Sequence, residues 1–263
     1  MSDPTELAPA RLDGLGRGLE VLVLGASRGL GREFVRQLLH CPDTARVWAG
    51  CRHPASLSLP AGTPLEKLAL LSVDVSDEAS VSAAAGEVAA QASALALVLN
   101  VAGVLHTAEG MGPERRLTEV DPGNMLWSYR VNALGPLLVA KHFSPLLPRR
   151  ERAVFASLSA RVGSIGDNRL GGWYAYRAAK AAQNMITRSL SIELPRRHRG
   201  LICVALHPGT VDTDLSRPFQ GNVSDERLFP PERAVRQLLD IINRLDERDQ
   251  GRFIAWDGQT IPW

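Results

Sequence analysis

Short, wholly apolar runs alternate along the chain with longer stretches in which apolar residues recur every three or four positions. The first run, Val21-Leu22-Val23-Leu24, ends at Gly25 and offers no polar side chain to water, the pattern of a strand buried on both faces of a parallel sheet. Apolar residues at Phe34, Val35, Leu38 and Leu39 then set a helical period over 30–40, closed by Pro42. The same two patterns predict strands over 47–49, 68–75, 94–99, 153–158, 201–206 and 252–255, and helices over 78–94, 123–147, 173–194 and 231–245. Such alternation predicts an α/β fold: a Rossmann-type, doubly wound parallel sheet in three αβα layers, with its ligand outside the carboxyl ends of the strands. The 263 residues read as a flexible N-terminal segment, 1–18, broken by Pro4, Pro9, Gly14, Gly16 and Gly18, followed by a single domain over 19–263. Segments 167–172 and 215–230 carry no period and are expected to form loops or a lid over the site.

Composition narrows the function classes. Lys and Arg number 30 against 28 Asp and Glu, a net charge of +2 that leaves no basic stripe for nucleic acid or a membrane surface. The short runs Arg149-Arg150-Glu151-Arg152 and Arg196-Arg197-His198-Arg199 follow helical patterns, where cations suit a helix C-terminus. Cys41, Cys51 and Cys203 are odd in number and form no CxxC pair, so neither a disulfide framework nor a zinc site is expected, and a reducing, cytoplasmic compartment is. No run approaches the ~18 continuous apolar residues of a membrane span. The expected partner is a small molecule.

Two stretches carry chemistry by position alone. Gly25-Ala26-Ser27-Arg28-Gly29-Leu30-Gly31 follows the first buried strand and opens the first helix, where glycines let the backbone approach a pyrophosphate at a helix N-terminus. Its spacing is GxxxGxG, and a tight strand-to-helix turn would read the same way. The second strand ends Gly50-Cys51-Arg52-His53, with no carboxylate to bind a ribose 2′-hydroxyl, whereas Arg28 and Arg52 can meet a 2′-phosphate; NADP is therefore the expected cofactor, in preference to NAD. Asp74 with the Val75 backbone stands where an adenine could be met, or where a helix N-cap is needed. In Tyr176-Arg177-Ala178-Ala179-Lys180 the i, i+4 spacing places a phenol and an ammonium on one helix face, and a nearby cation lowers a phenol's pKa. Tyr174, with Ala178 at the same offset, reads as a wall of the pocket.

In this order the motifs resemble those of the short-chain dehydrogenase/reductase family over nearly the whole chain from Val21 onward. The resemblance rests on Gly25, Gly29 and Gly31; Asp74; Asn100-Val101-Ala102-Gly103; Asn132; Tyr176 and Lys180; and Pro208-Gly209-Thr210-Val211-Asp212-Thr213. The stretches 159–164 and 171–177 and the ending Ile261-Pro262-Trp263 are similar to the C-factor and sniffer-type carbonyl reductase branch. The resemblance implies Tyr176 as proton donor, Lys180 as the group holding the nicotinamide ribose, and Asn132 as holder of a water in the proton relay. It further implies Asn100, Ala102 and Gly103 along the cofactor, Pro208, Gly209, Val211 and Thr213 at its nicotinamide end, and assembly into a homodimer or homotetramer.

Departures from the family pattern sharpen the reading. The segment that reads NNAG in the family is Asn-Val-Ala-Gly here, and counting back from Tyr176 puts Ala160 where the substrate-orienting serine is expected, with Ser159 one residue before it. One residue of offset on a strand end reverses the side-chain direction, so Ser159 serves as the catalytic hydroxyl only if a bulge turns it inward. The sequence thus predicts an NADP(H)-dependent oxidoreductase acting on a carbonyl or alcohol, with Leu105, Trp173, Tyr174, Leu215 and Phe219 suggesting an apolar pocket. The alternative is a nucleotide-binding sensor or signalling protein of little activity, for which Ala160 is the best support.

Overall fold

The computed structural model describes residues 8–222 and 224–263. Its core is a seven-stranded parallel sheet of order β3-β2-β1-β4-β5-β6-β9. The first half runs β1 (Leu19–Leu24), α1 (Gly29–His40), β2 (Thr44–Cys51), β3 (Leu68–Ser72), α2 (Glu78–Ala89) and β4 (Leu95–Asn100). The second runs α3 (Pro122–Tyr129), α4 (Gly135–Phe143), β5 (Ala153–Leu158), α5 (Tyr174–Glu193) and β6 (Leu201–His207), then a small ribbon of β7 (Thr210–Val211) and β8 (Leu228–Phe229), α6 (Pro231–Arg244) and β9 (Phe253–Ala255).

Two apolar layers cover the sheet, and the pleat assigns each residue to one of them. Val21 and Val23 join Phe34, Leu38, Leu238 and Ile242 under α1 and α6, whereas Leu22 and Leu24 join Val81, Val139, Phe143 and Leu190 under α2, α4 and α5. The chain winds outward from β1 to β3, returns to β4 beside β1, and continues the other way. Its direction reverses between β1 and β4, and the crevice outside their carboxyl ends is where such a sheet holds a ligand.

Three expectations are corrected. The helix expected over 123–147 is α3 and α4 joined by a π-turn, Arg130–Leu134, in which the Gly135 N–H reaches back to the Arg130 carbonyl. Pro136 has no N–H to give the Asn132 carbonyl, so the α-helical ladder cannot pass through unchanged. The strand expected to reach Val75 stops at Ser72, because its one neighbour, β2, stops at Cys51. Of the segment expected to be flexible, Met1 to Leu7 lie outside the described residues, but Ala10 and Leu12 are buried. The Asp43 carboxylate accepts from the Leu12 N–H at 2.9 Å and pairs with Arg11, and the Gly14 N–H donates to Asn243 Oδ1 at 2.8 Å; prolines and glycines here shape a packed turn. Among the described residues no helix is long and apolar enough to cross a membrane.

Candidate active site

At the switch point the backbones of β1 and β4 come together. Gly25 has φ +86° and donates its N–H to the Gly50 carbonyl at 2.9 Å; a Cβ there would stand 2.7 Å from the Ala102 nitrogen. A Cβ on Gly31 would run into the Gly25 carbonyl, so α1 starts in direct contact with the turn that precedes it. Gly29 lies against Thr213, whose methyl is 3.4 Å from where a Cβ would be, and Leu30 packs with Val211 and Phe229. Two segments that the sequence separates by more than 180 residues thus face each other across the opening.

Several groups on this side are unspent. Asn100 ends β4 fully buried, and neither its amide oxygen nor its nitrogen has a partner among the described residues. Arg28 precedes α1 and Arg52 follows β2; both are exposed and neither forms an ion pair among the described residues. Ser27 is half-buried in the turn between them. Asp74 turns one carboxylate oxygen to the Ser76 N–H and hydroxyl, at 2.9 and 2.7 Å, while the N-cap of α2 is Asp77. Val75 is buried beneath Gly135. A buried amide without partners, a backbone cradle that a Cβ would fill and two exposed guanidiniums are the donor set that a phosphorylated dinucleotide needs, so these residues fit the expected cofactor.

The other side of the crevice is closed on itself. Tyr176, in the first turn of α5, is 9% exposed; burial raises its phenol well above the ordinary range, and its hydroxyl bonds to no described residue. Lys180 lies one turn on, its Nζ 5.7 Å from the Tyr176 ring centroid, donating to the Leu158 carbonyl and to Gln183 Oε1, both at 2.8 Å. Burial lowers this ammonium to about 7. Gly103 joins the two sides: a Cβ there would be 3.1 Å from Asn132 Oδ1 and 3.8 Å from Lys180 Nζ. The expectation that the lysine lowers the phenol's pKa is corrected, since the cation's protons go to Leu158 and Gln183 and burial dominates at Tyr176.

The bonds observed place two further expected residues. The Asn132 side chain accepts the Val104 N–H at 3.0 Å and donates to the Val104 carbonyl at 2.8 Å and to Ser128 Oγ at 3.2 Å, so the amide shapes the Gly103–Val104 loop. Ser159 does not reach Tyr176. Its hydroxyl donates to Asn184 Oδ1 at 2.6 Å inside the core, its N–H continues the sheet to the Leu206 carbonyl, and the next residue, Ala160, is half-buried. No bulge intervenes, so the pleat sends the two residues to opposite sides. Gly209, at φ +79°, sits against Phe229 and Trp256 after Pro208, so this pair anchors the loop to an apolar cluster.

Trp173 and Phe219, among the apolar residues named from the sequence, meet here, with His106, Gln183 and Asn184 from outside that set. Trp173 meets the Tyr176 ring edge-on at 6.3 Å and Phe219 at 5.1 Å, and His106 lies 6.0 Å from Phe219. Gln183 and Asn184, at i+3 and i+4 from Lys180, occupy the bonds described above; that spacing was visible, but their partners on β5 were not.

Three comparisons bear on this arrangement. The model of the short chain dehydrogenase family matches residues 20–223. A 1-hydroxy-2-glutathionyl-2-methyl-3-butene dehydrogenase of Rhodococcus sp. (strain AD45) is 34% identical over 243 residues, covering 92% of this chain and 99% of its own. The C-signal protein of Myxococcus xanthus is 38% identical over 147 residues, 56% of this chain and 83% of its own. Among solved structures, the NADPH-bound carbonyl reductase from chicken fatty liver superimposes with a TM-score of 0.79 at 31% identity, over 94% of this chain and 100% of that one. The carbonyl reductase Sniffer of D. melanogaster gives 0.77 at 26%, over 94% and 100%.

Proposed function

Because the chain belongs to the short-chain dehydrogenase family, an oxidoreductase family, we propose that it is an NADP(H)-dependent reductase of lipophilic aldehydes or ketones, with Tyr176 as its proton donor. The single observation that carries the reading is the buried Tyr176–Lys180 pair beside Gly103, with the fully buried amide of Asn100, unpartnered among the described residues, at the end of β4. When bound, the nicotinamide supplies hydride to a carbonyl carbon or accepts it from an alcohol.

In this reading the cofactor is held by the cradle of Gly25, Ser27, Arg28, Gly29, Leu30 and Gly31, with Arg28 and Arg52 on the 2′-phosphate and Asp74 and Val75 at the adenine. Asn100, Ala102 and Gly103 line its middle, and Pro208, Gly209, Val211 and Thr213 its nicotinamide end. Burial keeps Tyr176 protonated throughout the neutral range, which suits an acid that delivers a proton to a developing alkoxide. Lys180, near 7, exchanges a proton in the working range and can restore the one that Tyr176 gives up. Trp173 and Phe219 present an apolar wall to the substrate and exclude water from the phenol. The reading includes a cytoplasmic homodimer or homotetramer.

A second reading has one specific observation behind it. The hydroxyl of Ser159 is bonded to Asn184 inside the core, with Ala160 next to it, so no serine from this strand end steadies the substrate oxygen; this favours a nucleotide-binding sensor with little turnover, and the similarity to C-signal points the same way. Following NADPH oxidation over a panel of aromatic and aliphatic aldehydes and ketones decides between them. Steady turnover abolished by Tyr176→Phe supports the reductase; tight NADPH binding with no turnover on any member supports the sensor.

A further inference from the structure

Trp173 is the one non-glycine residue with left-handed backbone among the described residues, at φ +53°, ψ +40°, a conformation that bulky side chains avoid. Gly171 and Gly172 before it are also left-handed, at φ +65° and +63°. The chain therefore enters α5 through three consecutive left-handed residues, a conformation that costs the two glycines little and Trp173 much, and Trp173, as N-cap, gives the helix no side-chain acceptor. Something else must hold this turn.

We propose that Glu114 is a positioning residue of the reaction site, holding Trp173 against Tyr176 and so fixing the wall that receives the substrate; the inference rests on the reductase reading for its kinetic consequence. Glu114 is 5% exposed and comes from a loop about 60 residues upstream. Its carbonyl accepts the Trp173 N–H at 2.6 Å, and both its carboxylate oxygens take the Ala175 N–H, at 3.2 and 3.3 Å, replacing the cap that Trp173 cannot provide. A Cβ on Gly172 would lie 3.2 Å from the same carbonyl, so the turn is seated directly on this residue. Glu114 forms no ion pair among the described residues, and its carboxyl group lies at the N-terminal, positive end of α5, bonded to the Ala175 N–H. From the opposite side Arg177 completes the clamp, donating to the carbonyls of Gly172 at 3.0 Å and Val162 at 3.2 Å. None of these contacts touches the cofactor cradle, so loosening the clamp should move the Trp173 wall and leave the nucleotide end alone.

The test compares Glu114→Ala, Glu114→Gln and Arg177→Leu with the wild type, reading the near-UV circular dichroism of Trp173, isolated by subtracting Trp173→Phe, together with KM and kcat for one aromatic ketone and NADPH affinity. Glu114→Ala is expected to lose the Trp173 signal and raise KM at least tenfold, with kcat within threefold and NADPH affinity within twofold. Glu114→Gln, which still offers an acceptor to Ala175, should return KM to within threefold. Retention of the Trp173 signal and KM by Glu114→Ala overturns the proposal, as does a loss of NADPH affinity in step with KM, which marks general loosening. Should Glu114→Ala fail to fold, Arg177→Leu answers in its place: the same loss of signal and rise in KM support the clamp, and unchanged values overturn it. If the wild type reduces no carbonyl, the reductase reading falls and the Trp173 signal alone decides the inference.

Discussion

The two halves of the crevice differ in how much of their hydrogen-bonding capacity is used. Around β1, β2 and β4 the polar groups are unspent among the described residues: Asn100 has no partner there for either end of its amide, and Arg28 and Arg52 form no ion pair there. Around α5 they are almost all spent, with Lys180 on Leu158 and Gln183, Ser159 on Asn184 and Asn132 on Val104. Buried polar groups without partners are costly unless a ligand completes them, whereas satisfied networks cost little and hold their members in place. The first half is thus built to be filled, and the second to keep one phenol, Tyr176, in position.

The largest effect that would break this contrast is expected at Tyr176. Replacing it with Phe removes a buried hydroxyl that bonds to no described residue, and turnover of any reduced carbonyl should fall by ~10³-fold or more while NADPH affinity changes less than threefold. Steady-state rates beside a nucleotide titration check this, and a surviving wild-type rate would place the acid elsewhere.

Lys180 tests how deeply the second half is buried. Its folded pKa of about 7 lies below the ordinary 10.5, so between those values the unfolded chain binds the extra proton. Stability of the nucleotide-free protein should therefore rise with pH through that window, by up to ~1.4 kcal/mol per unit, while below about 7 the penalty for the buried cation is fully present. Denaturant melts at pH 7 and pH 9 should show the rise in the wild type and its loss in Lys180→Met; identical slopes would mean that the ammonium is solvated.

Smaller effects distinguish the two faces of the β5 end. Ala160→Ser places a hydroxyl on the other side of the strand end from Ser159 and should raise turnover about tenfold, less than a preformed oxyanion donor contributes because nothing positions it. No gain would favour the sensor reading. Ser159→Ala should change turnover less than threefold but lower stability by ~1–2 kcal/mol, because Asn184 Oδ1 is left buried without its donor; a tenfold loss of rate at unchanged stability would restore the serine to a catalytic role.

These two residues also show where sequence reasoning stopped. The Gly25–Gly31 turn and the Tyr176–Lys180 pair were legible because each depends on spacing within one turn of chain, as the strands depend on unbroken apolar runs. The direction of Ser159 was not, since it depends on a strand ending without a bulge and on an acceptor 25 residues later. Pro136 did announce the break between α3 and α4, but its meaning required knowing which carbonyl lost its donor. Neither the left-handed Trp173 nor the cap from Glu114 leaves a local signature, and the packing of residues 10–15 depends on Asp43 and Asn243, far along the chain.

The contrast stands or falls on whether the unspent half receives a 2′-phosphorylated nucleotide. Parallel titration of NADPH and NADH into the wild type and into an Arg28→Ala/Arg52→Ala double variant measures this directly. Two charge-assisted contacts at ~1.5–3 kcal/mol each predict at least a tenfold preference for NADPH in the wild type and none in the variant. Equal affinities in the wild type, or tighter binding of NADH, would contradict the account.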